Sequence, residues 1–496
     1  MGGLEVGSLF SRDAINASKD HRYHGTTEAS ASYCRIKKDR RHCFSKKKKK
    51  NRHHHHHEVA SGGPTASLCD DALADIFTRL PGAAAVVRCA ATCRRWGRVV
   101  ATRAAVISRC LPPLGCSFPD LAVGLFHQEK DWPTTRGRDA AASPRPCFVP
   151  MPSGARFLLS EGREPLGVAG PDDGHGLLDH SRPVASRNGR LVLELRCHRR
   201  QDRAIDGLRL AMCNPMTSDN IVLIPPLVLA GKNKTKILNY GWALLTSHDL
   251  CPPGCRNFFR ILLIYNHHRG GGLSTVLRCY SSDTGRWGPE TESIVNIPSS
   301  KICNISPSVV HRGVAYWALE QGVFGVRLDQ TDEDHRMDMH LVPCDTSKFS
   351  PNNRLMGVSS DNRLFLMYCC FRAIPNMKLW KKLVLKLTYL EFAHEDDIHT
   401  GKICTFREIM PMKQMGKLMD VAYYPPAIKL RWFGEKSGIL LFTMGERSGH
   451  NGTYMLNLPE EVVDKVAGEG HFWKNLLGYE MDMAAYLASV GQISFT

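Results

Sequence analysis

The sequence predicts a multidomain chain in which a small all-α segment precedes a large all-β region, expected to be a β-propeller. Three observations predict it. Apolar residues recur at helical spacing only over a short stretch near residue 70. From about residue 118 onward the apolar runs are short and alternate with turn residues, which is strand texture. That region, about 375 residues, is too long for one sandwich, whereas about six to eight blades of 40–50 residues fit its length.

Ahead of both lies a basic tail. The 496 residues carry a net charge of +17, from 65 Lys and Arg against 48 Asp and Glu. Residues 1–58 alone hold 14 of those bases and 6 of the acids. The runs Lys46–Lys50 and His53–His57 and the spacer Ser61-Gly62-Gly63-Pro64 make 1–66 read as disordered. Arg40, Arg41, Lys46, Lys47, Lys48, Lys49 and Lys50 form a nuclear import candidate, and equally a solvated charge run. An unstructured histidine run fixes no metal geometry. The tail keeps a nucleic-acid-binding alternative open through phosphate attraction, but only Tyr33 and Phe44 lie near it for stacking. The 18 cysteines stand mostly alone in apolar stretches, as Cys89, Cys197, Cys279, Cys303 and Cys369 do, so reduced thiols are expected. With no signal peptide and no apolar run of about 18 residues, the expected address is nucleus or cytosol.

Residues 67–110 carry the helical segment. Leu73, Ile76, Phe77 and Leu80 stand at i, i+3, i+4 and i+7, one face of a helix. Asp70 is the expected N-cap, Asp71 adds charge to the first turn, and Pro81-Gly82 stops the helix. A second helix is expected over about 84–100, with Val86, Ala90, Cys93 and Gly97 or Val100 inward and Trp96 as anchor. So short a helical piece cannot bury much alone and calls for a partner.

Residues 111–496 carry the β region. Expected strands are 191–195 after the turn Arg187-Asn188-Gly189, Phe259–Tyr265, Val276–Tyr280, 313–317, Val323–Leu328, Leu364–Tyr368, Ile439–Thr443 and Thr453–Leu458. Gly189, Gly313 and Gly438 each open an apolar strand, 124 and 125 residues apart, a spacing of three blades or of chance. Helices are expected as exceptions near 460–468 and 474–488.

Two stretches resemble known families. Leu68-Cys69-Asp70-Asp71-Ala72-Leu73-Ala74-Asp75-Ile76-Phe77-Thr78-Arg79-Leu80-Pro81, with Val87-Arg88-Cys89-Ala90-Ala91-Thr92-Cys93-Arg94-Arg95-Trp96, resembles an F-box, with Cys69 where that family normally has proline. Ser186-Arg-Asn-Gly-Arg-Leu-Val-Leu-Glu-Leu195, Cys213-Asn-Pro-Met216, Val309-Val-His-Arg-Gly-Val-Ala-Tyr-Trp317 and Val421-Ala-Tyr-Tyr-Pro-Pro426 are similar to the kelch-like or propeller-like F-box-associated domains of plant, particularly grass, F-box proteins. The resemblance implies the substrate-recognition subunit of a Skp–cullin–F-box (SCF) type ubiquitin ligase. Leu68, Asp71, Leu73, Ile76, Phe77, Leu80, Val87 and Trp96 would then meet a Skp-type adaptor, and through it a cullin, or support that surface. Several of them could instead fill the segment's own core, Trp96 first among them. The β region would hold a protein substrate, so the chain supplies proximity rather than catalysis. The alternative within the resemblance is an F-box scaffold outside a ligase.

A search for catalytic chemistry agrees with a non-enzyme. Cys251 and Cys255 have no second pair at zinc spacing, and Cys89 and Cys93, at i and i+4, suit core packing. His267-His268 reads as a solvated loop beside Gly270–Gly272, and Glu391, Glu395, Asp396 and Asp397 as soluble surface. There is no phosphate loop, nucleophile elbow or H-E-x-x-H motif. No metal, cofactor, membrane partner or catalytic residue is expected.

Overall fold

The computed structural model describes residues 68–111, 119–128, 146–152 and most of 181–490. The import candidate Arg40, Arg41 and Lys46–Lys50, the pair Cys251 and Cys255, the acids 395–397 and the stretch 421–426 lie outside the described residues. Residues 63–496 form one compact unit. No helix among the described residues is long and apolar enough to cross a membrane.

Four short helices come first: α1 (Asp70–Thr78), α2 (Ala83–Ala90), α3 (Arg94–Thr102) and α4 (Ala104–Cys110). The α1 N-cap is Cys69 rather than Asp70, with its Sγ accepting from the Ala72 amide at 3.4 Å. The expected single helix over 84–100 is two. Thr92 turns back to donate its hydroxyl to the Cys89 carbonyl at 2.7 Å, and Cys93 is extended as the α3 N-cap. Thr and Cys offer little helix propensity to oppose that break. Cys93 is therefore exposed, not in the core, while Cys89 is half-buried.

The rest is mostly β, in a propeller-like arrangement. Strands β1 (Ala122–Gln128) and β2 (Cys147–Pro150) join the last strand, β24 (Lys474–Glu480), in a three-stranded sheet. Five larger sheets follow in chain order. They are β3 (Ser181–Arg187) to β6 (Val222–Leu227), through β4 (Arg190–Leu195) and β5 (Leu208–Cys213); β7 (Tyr240–Thr246), β8 (Phe259–Arg269), β9 (Gly272–Ser281), β10 (Arg286–Trp287) and β11 (Thr291–Glu292); and β12 (Val309–His311) to β15 (Met339–Pro343), through β13 (Val314–Ala318) and β14 (Gly322–Arg327). The last two are β16 (Arg354–Val358), β17 (Leu364–Ile374), β18 (Met377–Glu391) and β19 (Lys402–Glu408), then β20 (Ile428–Phe433), β21 (Ile439–Met444), β22 (Gly452–Asn457) and β23 (Val462–Ala467). Pairing is antiparallel throughout. The first strands touch in cyclic order, β24 to β3, β7, β12, β16, β20 and back to β24. The ring is thus closed by pairing the chain's last strand with its first, which removes two exposed sheet edges.

Burial explains why these runs are strands. Runs such as 439–444 and 452–457 are buried at every position. Such strands pack both faces against neighbouring sheets and so read as continuous apolar runs, whereas β20 alternates and the edge strand β23 is largely open. Separate apolar clusters fill successive interfaces: Ala243, Leu262 and Leu277 against Trp317 and Phe324, for instance, and Leu355 and Phe365 against Leu440 and Phe442.

The glycine spacing has a different meaning from three blades. Gly189, Gly313 and Gly438 open β4, β13 and β21, so each interval spans two blades, at φ +75°, +76° and +69°. Asn188-Gly189 and Arg312-Gly313 are two-residue hairpin turns with both residues at positive φ. That conformation matches strand twist and favours Asn-Gly. The sheets vary in length around the 40–50 residues expected, from β12–β15 over 309–343 to β16–β19 over 354–408. The helix expected over 460–468 is strand β23, whose edge position lets charged Asp464 and Lys465 face out. Of 474–488, the first half is β24 and only the rest is helical, α5 (Met483–Val490).

Candidate functional site

The helical face comes first, because the sequence singled it out. The eight residues named there separate into two groups. Leu73, Phe77 and Val87 are buried in a core shared with Val86, Val99, Val100 and Ile107. Leu80 and Trp96 are half-buried against the same core, with the Trp96 ring edge-on to Phe77 at 5.6 Å. Leu68, Asp71 and Ile76 face outward, and the apolar pair among them is 36% and 45% exposed. Val106 on α4, not singled out from sequence, is 50% exposed.

Ion pairs hold the entrance of α1 to α3 and α4. Arg95 Nε donates to Asp70 at 3.0 Å and its other arm reaches the Leu68 carbonyl, while Arg103 bonds Asp71. All three carboxylates of α1 are paired, since Arg79 reaches Asp75 at 2.7 Å. These side chains are largely exposed, so each pair contributes at most about 1 kcal/mol. They set where the chain before α1 runs, and hence where Leu68 stands.

The second site was not legible in sequence. At one mouth of the ring, Arg187 at the end of β3 gathers groups from three other blades. Its Nη2 donates to Glu435 at 2.8 Å and to the Val310 carbonyl at 2.8 Å, Nε lies 3.2 Å from Glu435, and Nη1 meets Asp249. Asp249 also accepts from the Thr246 amide at 2.7 Å. Burial opposes the Arg187 charge, but Asp249 and Glu435 outweigh it and hold the guanidinium above its ordinary value. Beside them the buried Glu480 accepts from the Ser437 and Lys436 amides at 2.6 and 3.1 Å. Burial still lifts its carboxyl above the usual range. Trp242, Leu355, Met356, Trp432 and Phe433 line the adjoining pocket, a cavity of only about 40 Å3. The polar groups here bond one another and join four blades through Arg187.

At the starts of β3 and β7, Arg182 and Tyr240 meet Glu194 near the end of β4, with Tyr240 donating to Glu194 at 2.6 Å. His267 is also not the solvated loop residue expected. It lies on β8, is largely buried, and its Nδ1 is 2.7 Å from Glu290. The hairpin is longer than the sequence suggested, with pairing that reaches Arg269 and Gly272. No cluster of three or more metal-ligating side chains occurs among the described residues.

The chain matches no family model and no curated protein. Solved structures offer weak likeness. An α-L-arabinofuranosidase of Fusarium graminearum is 10% identical at a TM-score of 0.31, over 61% of this chain and 82% of that one. A glycosyl hydrolase of Bacteroides ovatus is 12% identical at 0.26, over 58% and 87%. A prolyl endopeptidase is 10% identical at 0.26, over 59% and 37%. Likeness at this level carries no argument about the chemistry of this chain.

Proposed function

We propose that the chain is the substrate-recognition subunit of an SCF-type ubiquitin ligase. Helices α1–α4 bind a Skp-type adaptor, through which a cullin is reached, and the β-rich ring holds a protein substrate. On this reading the chain performs no catalysis and works in the nucleus or cytosol. The observation that carries it is the division of α1. Leu73 and Phe77 hold the helix to the body while Leu68 and Ile76 stand outward, on the stretch that resembles an F-box. An amphipathic helix with apolar residues left outside is an interaction element. The ring adds a rigid platform whose loops can differ without disturbing the sheets.

The test is a pull-down of the full chain with a purified Skp-type adaptor, beside Leu68→Asp/Ile76→Asp. Both positions are exposed, so the double variant keeps its circular dichroism. Adaptor retained by the wild type and lost by the variant supports the reading. No retention by a folded wild type overturns it and leaves the scaffold alternative or the basic tail.

A further inference from the structure

The four N-terminal helices do not complete their own core. The missing piece comes from the other end of the chain. Helix α5, Met483–Val490, carries no charged residue and packs against α2, α3 and α4. Met483, Tyr486 and Leu487 are 9%, 5% and 0% exposed and belong to the same cluster as Leu73, Phe77, Val100 and Ile107. That cluster continues into Leu477 and Tyr479 of β24 and into Trp432 and Leu441 of the last blade. A helix so generally apolar is one covered on most sides.

Only Met481 and Asp482 separate α5 from β24, the strand that closes the ring. Both are held. The Met481 amide donates to the Leu121 carbonyl at 2.9 Å. Asp482 caps α5, accepting from the Ala484 and Ala485 amides at 2.9 and 3.2 Å, while its other oxygen lies 3.3 Å from His248 Nε2 beyond β7. A Cβ on Gly189 would stand 2.6 Å from the Asp482 amide, so the β3–β4 turn also abuts this joint. Three parts of the ring thus converge on two residues.

We propose that residues 481–490 couple ring closure to the helical surface: seating β24 and completing the helical core are one event, so α1 is presented in its native form only by a chain whose ring is closed. Where it concerns adaptor binding, this rests on the reading above; where it concerns order in α1–α4, it stands without it. The consequence is that a chain lacking its last segment loses a surface more than 370 residues away in sequence.

The test reads hydrogen exchange of the whole chain and its variants peptide by peptide, with adaptor pull-down alongside. Deleting 482–496 is expected to raise exchange over 70–110 at least tenfold while β8, β13 and β21 keep their protection, and to abolish adaptor retention. If the deletion unfolds the whole chain, two milder variants decide. Asp482→Ala removes the cap and is expected to speed exchange over 70–110 by roughly 2- to 30-fold, without a matching change in β13. Gly478→Ala places a Cβ 2.2 Å from the Trp432 ring, wedging β24 against the last blade, and is expected to loosen 70–110 all the same. Native protection over 70–110 in both milder variants overturns the coupling. Undiminished adaptor binding by a folded 482–496 deletion also overturns it. Failure of the wild type to bind adaptor, with the exchange pattern as expected, counts against the adaptor reading and supports the coupling.

Discussion

The helical segment and the ring mouth both use arginine–carboxylate pairs, to opposite effect. Arg79, Arg95 and Arg103 pair with the carboxylates of α1 in solvent, where salt and water screen them. Arg187 pairs with Asp249 and Glu435 where its side chain is 13% exposed and theirs 8% and 22%. The exposed pairs steer an entrance that tolerates change. The buried set cannot lose one member without leaving charge stranded in a poorly solvated place. The difference teaches where the molecule depends on electrostatics: where blades meet around Arg187, not on the exposed face of the helical segment.

The widest separation between the two regions should come from arginine deletion. Arg187→Ala is expected to lower the unfolding free energy by about 3–5 kcal/mol, whereas Arg103→Ala should cost under about 1 kcal/mol. Equal shifts of the urea midpoint for the two variants would break the comparison. Within the helical segment, Phe77→Ala should cost about 3–5 kcal/mol and Ile76→Ala well under 1 kcal/mol, read from the same curves. An Ile76 effect of similar size would mean that this side chain is covered in solution.

Gly189→Ala comes next. It forces a Cβ into positive φ and onto Asp482, for a loss of about 1–3 kcal/mol in thermal unfolding. Alanine tolerated there would mean that the turn and the α5 cap are not in contact.

The pH dependence sharpens the ring's side of the comparison. Burial holds His127 at a pKa of about 4, and burial followed by the charges of Arg312 and Arg187 does the same for His311. Both lie below the unfolded value of 6.5, so the unfolded chain takes up protons first. Stability should be full above about pH 6.5 and fall progressively toward pH 4. Asp482 acts lower. Burial raises its pKa, but the contacts with His248, Lys436 and the α5 amides overcome this and hold it at about 2. Its contribution is intact above the unfolded value of 3.8 and lost as pH falls through 2. A melting temperature flat from pH 7 to 4.5 would contradict the histidine assignment, and His127→Gln/His311→Gln should flatten the profile. The smallest effect is Cys69→Ser. A hydroxyl caps better than a thiol, so α1 should gain less than about 1 kcal/mol, seen as slower exchange at the Ala72 amide; faster exchange would argue that the thiol is not the cap.

Much of the fold was legible in sequence for a local reason. A buried strand needs an apolar run and a tight hairpin needs residues that accept positive φ, and both requirements show in a few residues. The expected strands at 259–265, 276–280 and 439–443 lie within β8, β9 and β21, and that at 453–458 overruns β22 by one residue. Expectations that joined or assigned short amphipathic pieces fared worse. The break at Thr92 depends on one side-chain hydrogen bond. Segments 460–468 and 474–480 have helix-like composition and are strands because a neighbour supplies hydrogen bonds along their length. On the helical face the spacing identified Leu73, Ile76 and Phe77 as a group but not which of them point out, because that depends on where α3, α4 and α5 lie.

The sequence by itself determined the presence of a short helical segment, the strand-rich texture after it, the turn at Asn188-Gly189 and the strand opened by Gly313, since each depends on neighbours a few residues apart. Only the tertiary structure decided that β24 closes the ring on β1, that Arg187 meets Glu435 across 248 positions, and that α5 finishes the core begun by α1. Those contacts join residues whose types are ordinary where they stand. Their partners are chosen by the geometry of closure, which no local pattern encodes.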